Sequence, residues 1–103
     1  MNKTTNRRIY ISGPISGRDI HEAQAHFMRA QEELQRAPHT VVHNPFLNGV
    51  KADAPYEEHM RADLRMLLQC DHIYMLKGWT ESYGATLEFN IANTIGCTLL
   101  FEE

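Results

Sequence analysis

The chain of 103 residues has no long hydrophobic run, no clustered cysteines and no surplus of positive charge. Each absence removes a class of protein. Nothing approaches the roughly 18 consecutive apolar residues of a membrane-crossing helix, so no membrane partner is expected. The N-terminus "MNKTTNRR" precedes only a short apolar stretch and does not read as a signal peptide. The two cysteines, Cys70 and Cys97, form neither a C-x-x-C pair nor a metal spacing. Both lie in apolar runs, which points to reduced core thiols and a cytoplasmic protein. A net charge of −3 argues against the broad basic surface that grips nucleic-acid polymers. The one basic cluster, Arg7–Arg8, reads as the solvated start of a strand. The six histidines lack metal spacing, with His21 and His26 off their helix's apolar stripe and expected in solvent; no metal and no cofactor are expected. Repeats and low-complexity segments are also missing.

What is present is a hydrophobic content of 43% in short patterned segments, as expected for one domain over residues 1–103. "RRIYISG" is β-rich and ends in a turn at Gly13-Pro14. From Asp19 to about Arg36, apolar residues at Ile20, Ala23, Phe27, Ala30 and Leu34 give the period of an amphipathic helix, with Asp19 as N-cap. "HTVVHNP" is a second strand, and residues 46–55 carry no clear period and read as a loop. A helix from about Tyr56 to Gln69 has the stripe Met60, Leu64, Leu67 and Leu68. "HIYMLKG" is a third strand, a helix runs from near Ser82 to a C-cap at Gly96, and "CTLLFEE" is a fourth strand. The alternation predicts a Rossmann-like (flavodoxin-like) three-layer α/β sandwich with about four parallel strands. Ligands of such sheets bind at the carboxyl ends of the strands, so the loops after Ser12, His43 and Leu76 should share one rim.

Two carboxylates sit where apolar residues are expected. Glu88 shares a helix face with Ala85 and Ala92, beside the apolar row Leu87, Ile91 and Ile95. Asp63 lies between Met60 and Leu67 on the border of its own stripe. An isolated buried charge is too costly to keep, so each is either at a pocket edge or paired. Two carboxylates leaning inward from different helices suggest a shared cleft; the plainer reading is acidic residues reaching solvent at helix borders. "GPISGR", with Gly13, Ser16 and Arg18, either lets a ligand approach the backbone or is a tight turn. It is neither G-x-G-x-x-G nor a Walker loop. Tyr10 places a phenol at the rim or in the core. Trp79 is a hydrophobic plug or a flat wall for a base, and Ser82 caps its helix or also faces a ligand.

In this order, "IYISGPISG", "MRADLRMLLQCDHIYML" and "GWTESYGATLEFNIA" resemble the nucleoside 2-deoxyribosyltransferase superfamily and its relatives, the 2′-deoxynucleoside 5′-phosphate N-hydrolases. The nearest likeness is to the small DUF4406 group. The resemblance implies that Glu88 is the nucleophile attacking C1′ of a deoxyribose. It implies that Asp63 meets the departing base, that Tyr10 holds the nucleophile, and that Ser82 stands where the nucleotide hydrolases have a phosphate-contacting serine. Gly13, Ser16, Arg18, Trp79 and Gly84 are the further residues expected to line the substrate site. The hydrolases' phosphate loop has a Ser and an Arg where this chain has Pro14 and Ser16. Most relatives also have a longer C-terminus. The expected activity is therefore N-glycosidic cleavage of a 2′-deoxynucleoside or its 5′-monophosphate, by hydrolysis or base transfer. The alternatives are a nucleotide-binding module without turnover and a structural role. Thin helical cover and the resemblance together predict a homodimer, with Phe89 and Asn93 on the free face of the third helix.

Overall fold

The computed structural model describes residues 6–103; the reading of the first five residues lies outside them. Its sheet has four strands, β1 (Arg7–Ser12), β2 (Thr40–His43), β3 (His72–Met75) and β4 (Thr98–Phe101), all parallel in the order β2-β1-β3-β4. Parallel strands demand crossovers, and three helices supply them: α1 (Ile20–Leu34), α2 (Tyr56–Leu67) and α3 (Tyr83–Thr94).

Alternation along β1 explains the layering. Ile9 and Ile11 point to one face and Tyr10 and Ser12 to the other, and all four are buried. On the first face, Ile11 and Leu76 pack under Phe27 and Ala30 of α1. Phe27 is fully buried and meets Phe46 edge to face at 5.1 Å. On the second face, Tyr10, Ile73 and Met75 pack under Leu67 of α2 and Ala85 and Ala92 of α3. The result is the expected three-layer Rossmann-like sandwich, with one helix on one face and two on the other. The chain leaves β1 toward β2 and returns across it to β3, so strand order reverses between β1 and β3. That reversal opens a crevice at the carboxyl ends of these two strands.

The helix ends follow their capping residues. Asp19 Oδ1 accepts from the backbone N–H groups of His21 and Glu22, both at 3.0 Å, and Ser82 Oγ accepts from Ala85 N at 3.2 Å. Gly96, at φ +86°, follows α3 as anticipated.

Several expectations need correction. The segment 46–55 is not wholly irregular, because a 3₁₀ turn spans Pro45–Leu47. Asn44 holds that turn, accepting from Phe46 N at 3.0 Å and donating to Gln31 Oε1 at 3.0 Å. Ile20, Leu68 and Ile95 are exposed rather than part of their stripes. Ile20 is the first residue of α1, Leu68 follows α2 and Ile95 follows α3, so all three lie at helix ends. His26 is not solvated either: its Nε2 meets the Glu102 carboxylate at 2.9 Å, joining α1 to the residue after β4. Phe89 is not wholly free on its face of α3 but half-buried. It stacks on Trp79 with ring centroids 4.6 Å apart.

Candidate active site

Glu88 enters the crevice from the middle of α3, and β1 meets it there. Tyr10 and Ser12 are two residues apart on a strand, so their side chains leave the same face. Tyr10 donates its hydroxyl to Glu88 Oε2 at 2.8 Å, and Ser12 donates to Oε1 at 2.6 Å. Each carboxylate oxygen is thus held by one hydroxyl. Glu88 is 5% exposed, and burial pushes its carboxyl from an ordinary 4.5 up to about 7. The hydroxyls of Ser12 and Tyr10 pull it down and the charge of Asp63 pushes it up, but desolvation is the largest effect. The same burial, with Glu88 next in size, holds the Tyr10 phenol well above its usual range, so it remains a donor.

Asp63 reaches the same crevice from α2. Glu88, Asp63 and Tyr10 together line a cavity of about 310 Å³, with Gly13, Ser16, Ser82 and Gly84 also in its wall. Asp63 is 8% exposed. Burial raises its carboxyl above the usual carboxylate range, offset in part by Asn48, which donates to Oδ1 at 2.9 Å, and by His59. A second lobe of about 290 Å³ adjoins the first; Ser16, Tyr56, Met60 and Asp63 line both. Phe46, Val50 and Ile20 make its wall more apolar.

Seven of the nine residues expected at a site therefore converge, and two do not. Trp79 is absent from both lobes; stacked on Phe89 and 6.2 Å from the Phe101 ring, it closes the end of the core. Arg18 lines a separate groove with Pro14, His26 and Arg29. The turn at Gly78 admits it there, since a Cβ on Gly78 would lie 2.7 Å from Arg18 Nη2. Ser12, Asn48, Tyr56 and Met60 were not anticipated as site residues. The two-residue spacing put Ser12 on the strand face of Tyr10 but did not place it against Glu88; Asn48 carried no signal, because it sits in an aperiodic segment. Cys70 and Cys97 are free and buried, and burial pushes the Cys70 thiol up to about 12, which removes it as a nucleophile.

A desolvated carboxylate clamped by two hydroxyls, facing a second carboxyl across a cavity of this size, can stabilise or trap a developing cation while an acid protonates a leaving group. The architecture is a nucleoside 2-deoxyribosyltransferase-like fold. Residues 7–101 match the family described as "Domain of unknown function (DUF4406)", and the chain belongs to that family.

Solved structures share the fold. A conserved protein from Enterococcus faecalis V583 superposes with a TM-score of 0.70 at 20% identity, over 94% of this chain and 63% of its own. The 2-deoxyribosyltransferase of Bacillus psychrosaccharolyticus gives 0.70 at 17% identity, over 91% of this chain and 70% of its own. The 2-deoxyribosyltransferase of Leishmania mexicana gives 0.68 at 22% identity, over 92% and 63%. At these identities the likeness is one of fold. The chain spans 63% of the length of the Enterococcus protein. No curated protein sequence matches it.

Proposed function

We propose that the chain cleaves the N-glycosidic bond of a 2′-deoxynucleoside or its 5′-monophosphate, with Glu88 as nucleophile and Asp63 as acid. A Glu88 oxygen bonds to C1′ while the C1′–N bond breaks and its electron pair leaves with the base. Asp63 gives its proton to that base. Water, or the ring nitrogen of a second base, then attacks C1′, Asp63 takes back the incoming proton, and Glu88 is released. Tyr10 and Ser12 keep the carboxylate oriented so that little reorganisation accompanies charge development.

The observation that carries this reading is the double clamp on Glu88, at 2.8 and 2.6 Å, inside a cavity that Asp63 also lines. A structural carboxylate needs partners but no cavity. The test is a panel of deoxynucleosides and deoxynucleotides incubated with the chain, with free base read by chromatography. Base release lost in Glu88→Ala, and lowered about 10²–10⁴-fold in Asp63→Asn, is the expected outcome. Tight binding without release would replace the enzyme by a nucleotide-binding module.

The same reading takes the chain to be a cytoplasmic homodimer acting on small molecules. The single helix over one face of the sheet, and Phe101 exposed on β4, support an assembled state. Light scattering at micromolar concentration should give about twice the 11.9 kDa of one chain, and a mass near one chain removes the dimer.

A further inference from the structure

Asn48 is the hub of a network that the proposed mechanism does not use. Its Oδ1 accepts from Val50 N at 2.9 Å. A backbone N–H can only donate, so this bond fixes which end of the amide is which. The other end, Nδ2, must donate, and it has two acceptors: Asp63 Oδ1 at 2.9 Å and His59 Nδ1 at 3.3 Å. His59 and Asp63 are four residues apart on α2, so they are neighbours on one helix face.

Two consequences follow for a neutral imidazole. Nδ1 accepts, so the ring proton is on Nε2. Asp63 Oδ1 is occupied, so a carboxyl proton belongs on Oδ2. Neither Nε2 nor Oδ2 has a hydrogen-bond partner among the described residues, and neither is a buried orphan atom. His59 and Asp63 both line the apolar second lobe.

We propose that Asn48 is a positioning residue that makes His59 and Asp63 present two neighbouring hydrogen-bond donors to the base in the second lobe, selecting a base edge with two adjacent acceptors. This rests on the N-glycosidic reading of the site. Adjacent acceptors occur at N7 and O6 of a 6-oxopurine and at N3 and O2 of cytosine. Adenine pairs N7 with a donor amino group, and thymine places N–H between its carbonyls, so each would leave one protein donor facing another donor. An unmatched buried donor costs about tenfold or more in affinity.

Long-range ¹H–¹⁵N spectra of the full chain should show His59 with a protonated Nε2 and a bare Nδ1 at pH 8. At about pH 6, below the limb near about 7 so that the carboxyl pair still carries its proton, hypoxanthine and cytosine should shift the Nε2–H signal with affinities at least about tenfold above those of adenine and thymine. This readout requires no bond cleavage, so it decides the proposal even if the nucleoside panel releases no base. The Nδ1–H tautomer, or equal affinities within both pairs, overturns it; base release that is equal from deoxyinosine and deoxyadenosine does so while leaving the glycosidic reading intact. Asn48→Asp keeps an acceptor for Val50 N and replaces the donor with a carboxylate, so His59 should turn to the Nδ1–H tautomer. Its Nε2 then accepts and no donor faces O6, so the preference for hypoxanthine over adenine should be lost. A merely structural Asn48 would change stability without altering the preference. If Asn48→Asp does not fold, His59→Gln, which retains a donor near the Nε2 position, should preserve the preference and His59→Phe should abolish it; no difference between these two also overturns the proposal.

Discussion

At the scale of residues, Glu88 shows what a fold spends to keep a functional group. Its carboxyl titrates at about 7 in the native state and near 4.5 when exposed, so the folded chain holds the extra proton between those values. The native state is therefore stabilised relative to the unfolded chain below about pH 4.5, and that stability is lost as pH rises through about 7. The shift corresponds to a loss on the order of 3 kcal/mol. Urea unfolding of Glu88→Gln at pH 5 and pH 8 should show a flatter pH dependence than wild type, with the variant gaining at pH 8. Activity follows the pair rather than one carboxyl. Turnover needs Glu88 ionised and Asp63 protonated, the reverse of the arrangement that the stronger desolvation of Glu88 favours. The reactive form is therefore the minor one of the singly protonated pair, and kcat/KM should be bell-shaped, with its upper limb near about 7 set by the higher macroscopic pKa. In Asp63→Asn only the need for ionised Glu88 remains, and the residual rate should rise through that pH instead of falling. A falling limb in Asp63→Asn would remove Asp63 as the acid.

At the scale of elements, the junctions of β1 and β3 with their following loops decide whether the crevice exists. Gly13 ends β1 against Leu76, and a Cβ there would lie 2.8 Å from Leu76 Cβ. Leu76 is fully buried and cannot retreat. Gly13→Ala should therefore destabilise by about 1–3 kcal/mol through overpacking, measured as a lower midpoint in urea. It should also displace Ser12, the neighbour that binds Glu88, so turnover should fall in the fraction that remains folded. Element types and order were readable from the period of apolar residues, and the caps at Asp19 and Ser82 were readable from residue type. The 3₁₀ turn at Pro45–Leu47 was not, because three residues are too few to show a period. That turn carries the chain toward Asn48, so the missed element and the missed site residue share one cause.

At the scale of the whole molecule, the two open readings of Trp79 resolve into one place. It belongs to an aromatic group with Phe89 and Phe101 that closes one end of the core around β4, away from both lobes of the cleft. Trp79→Ala should lower thermal stability, by up to about 3 kcal/mol for a partly buried indole, with the KM of the remaining folded protein unchanged. A raised KM at unchanged stability would return Trp79 to the substrate site. The same packing leaves Phe89 half-buried and Phe101 exposed on β4.

The sequence by itself determined the parallel α/β class, the order of its elements, and the oddity of Glu88 and Asp63. These are properties of local period and residue type, which survive without three-dimensional context. Tertiary structure alone decided which polar side chains meet: Ser12 with Glu88 across 76 positions, Asn48 with Asp63 and His59, and Arg18 outside the cleft. Hydrogen bonds act over about 3 Å, and helix crossovers bring distant residues within that range. No spacing along the chain encodes that distance.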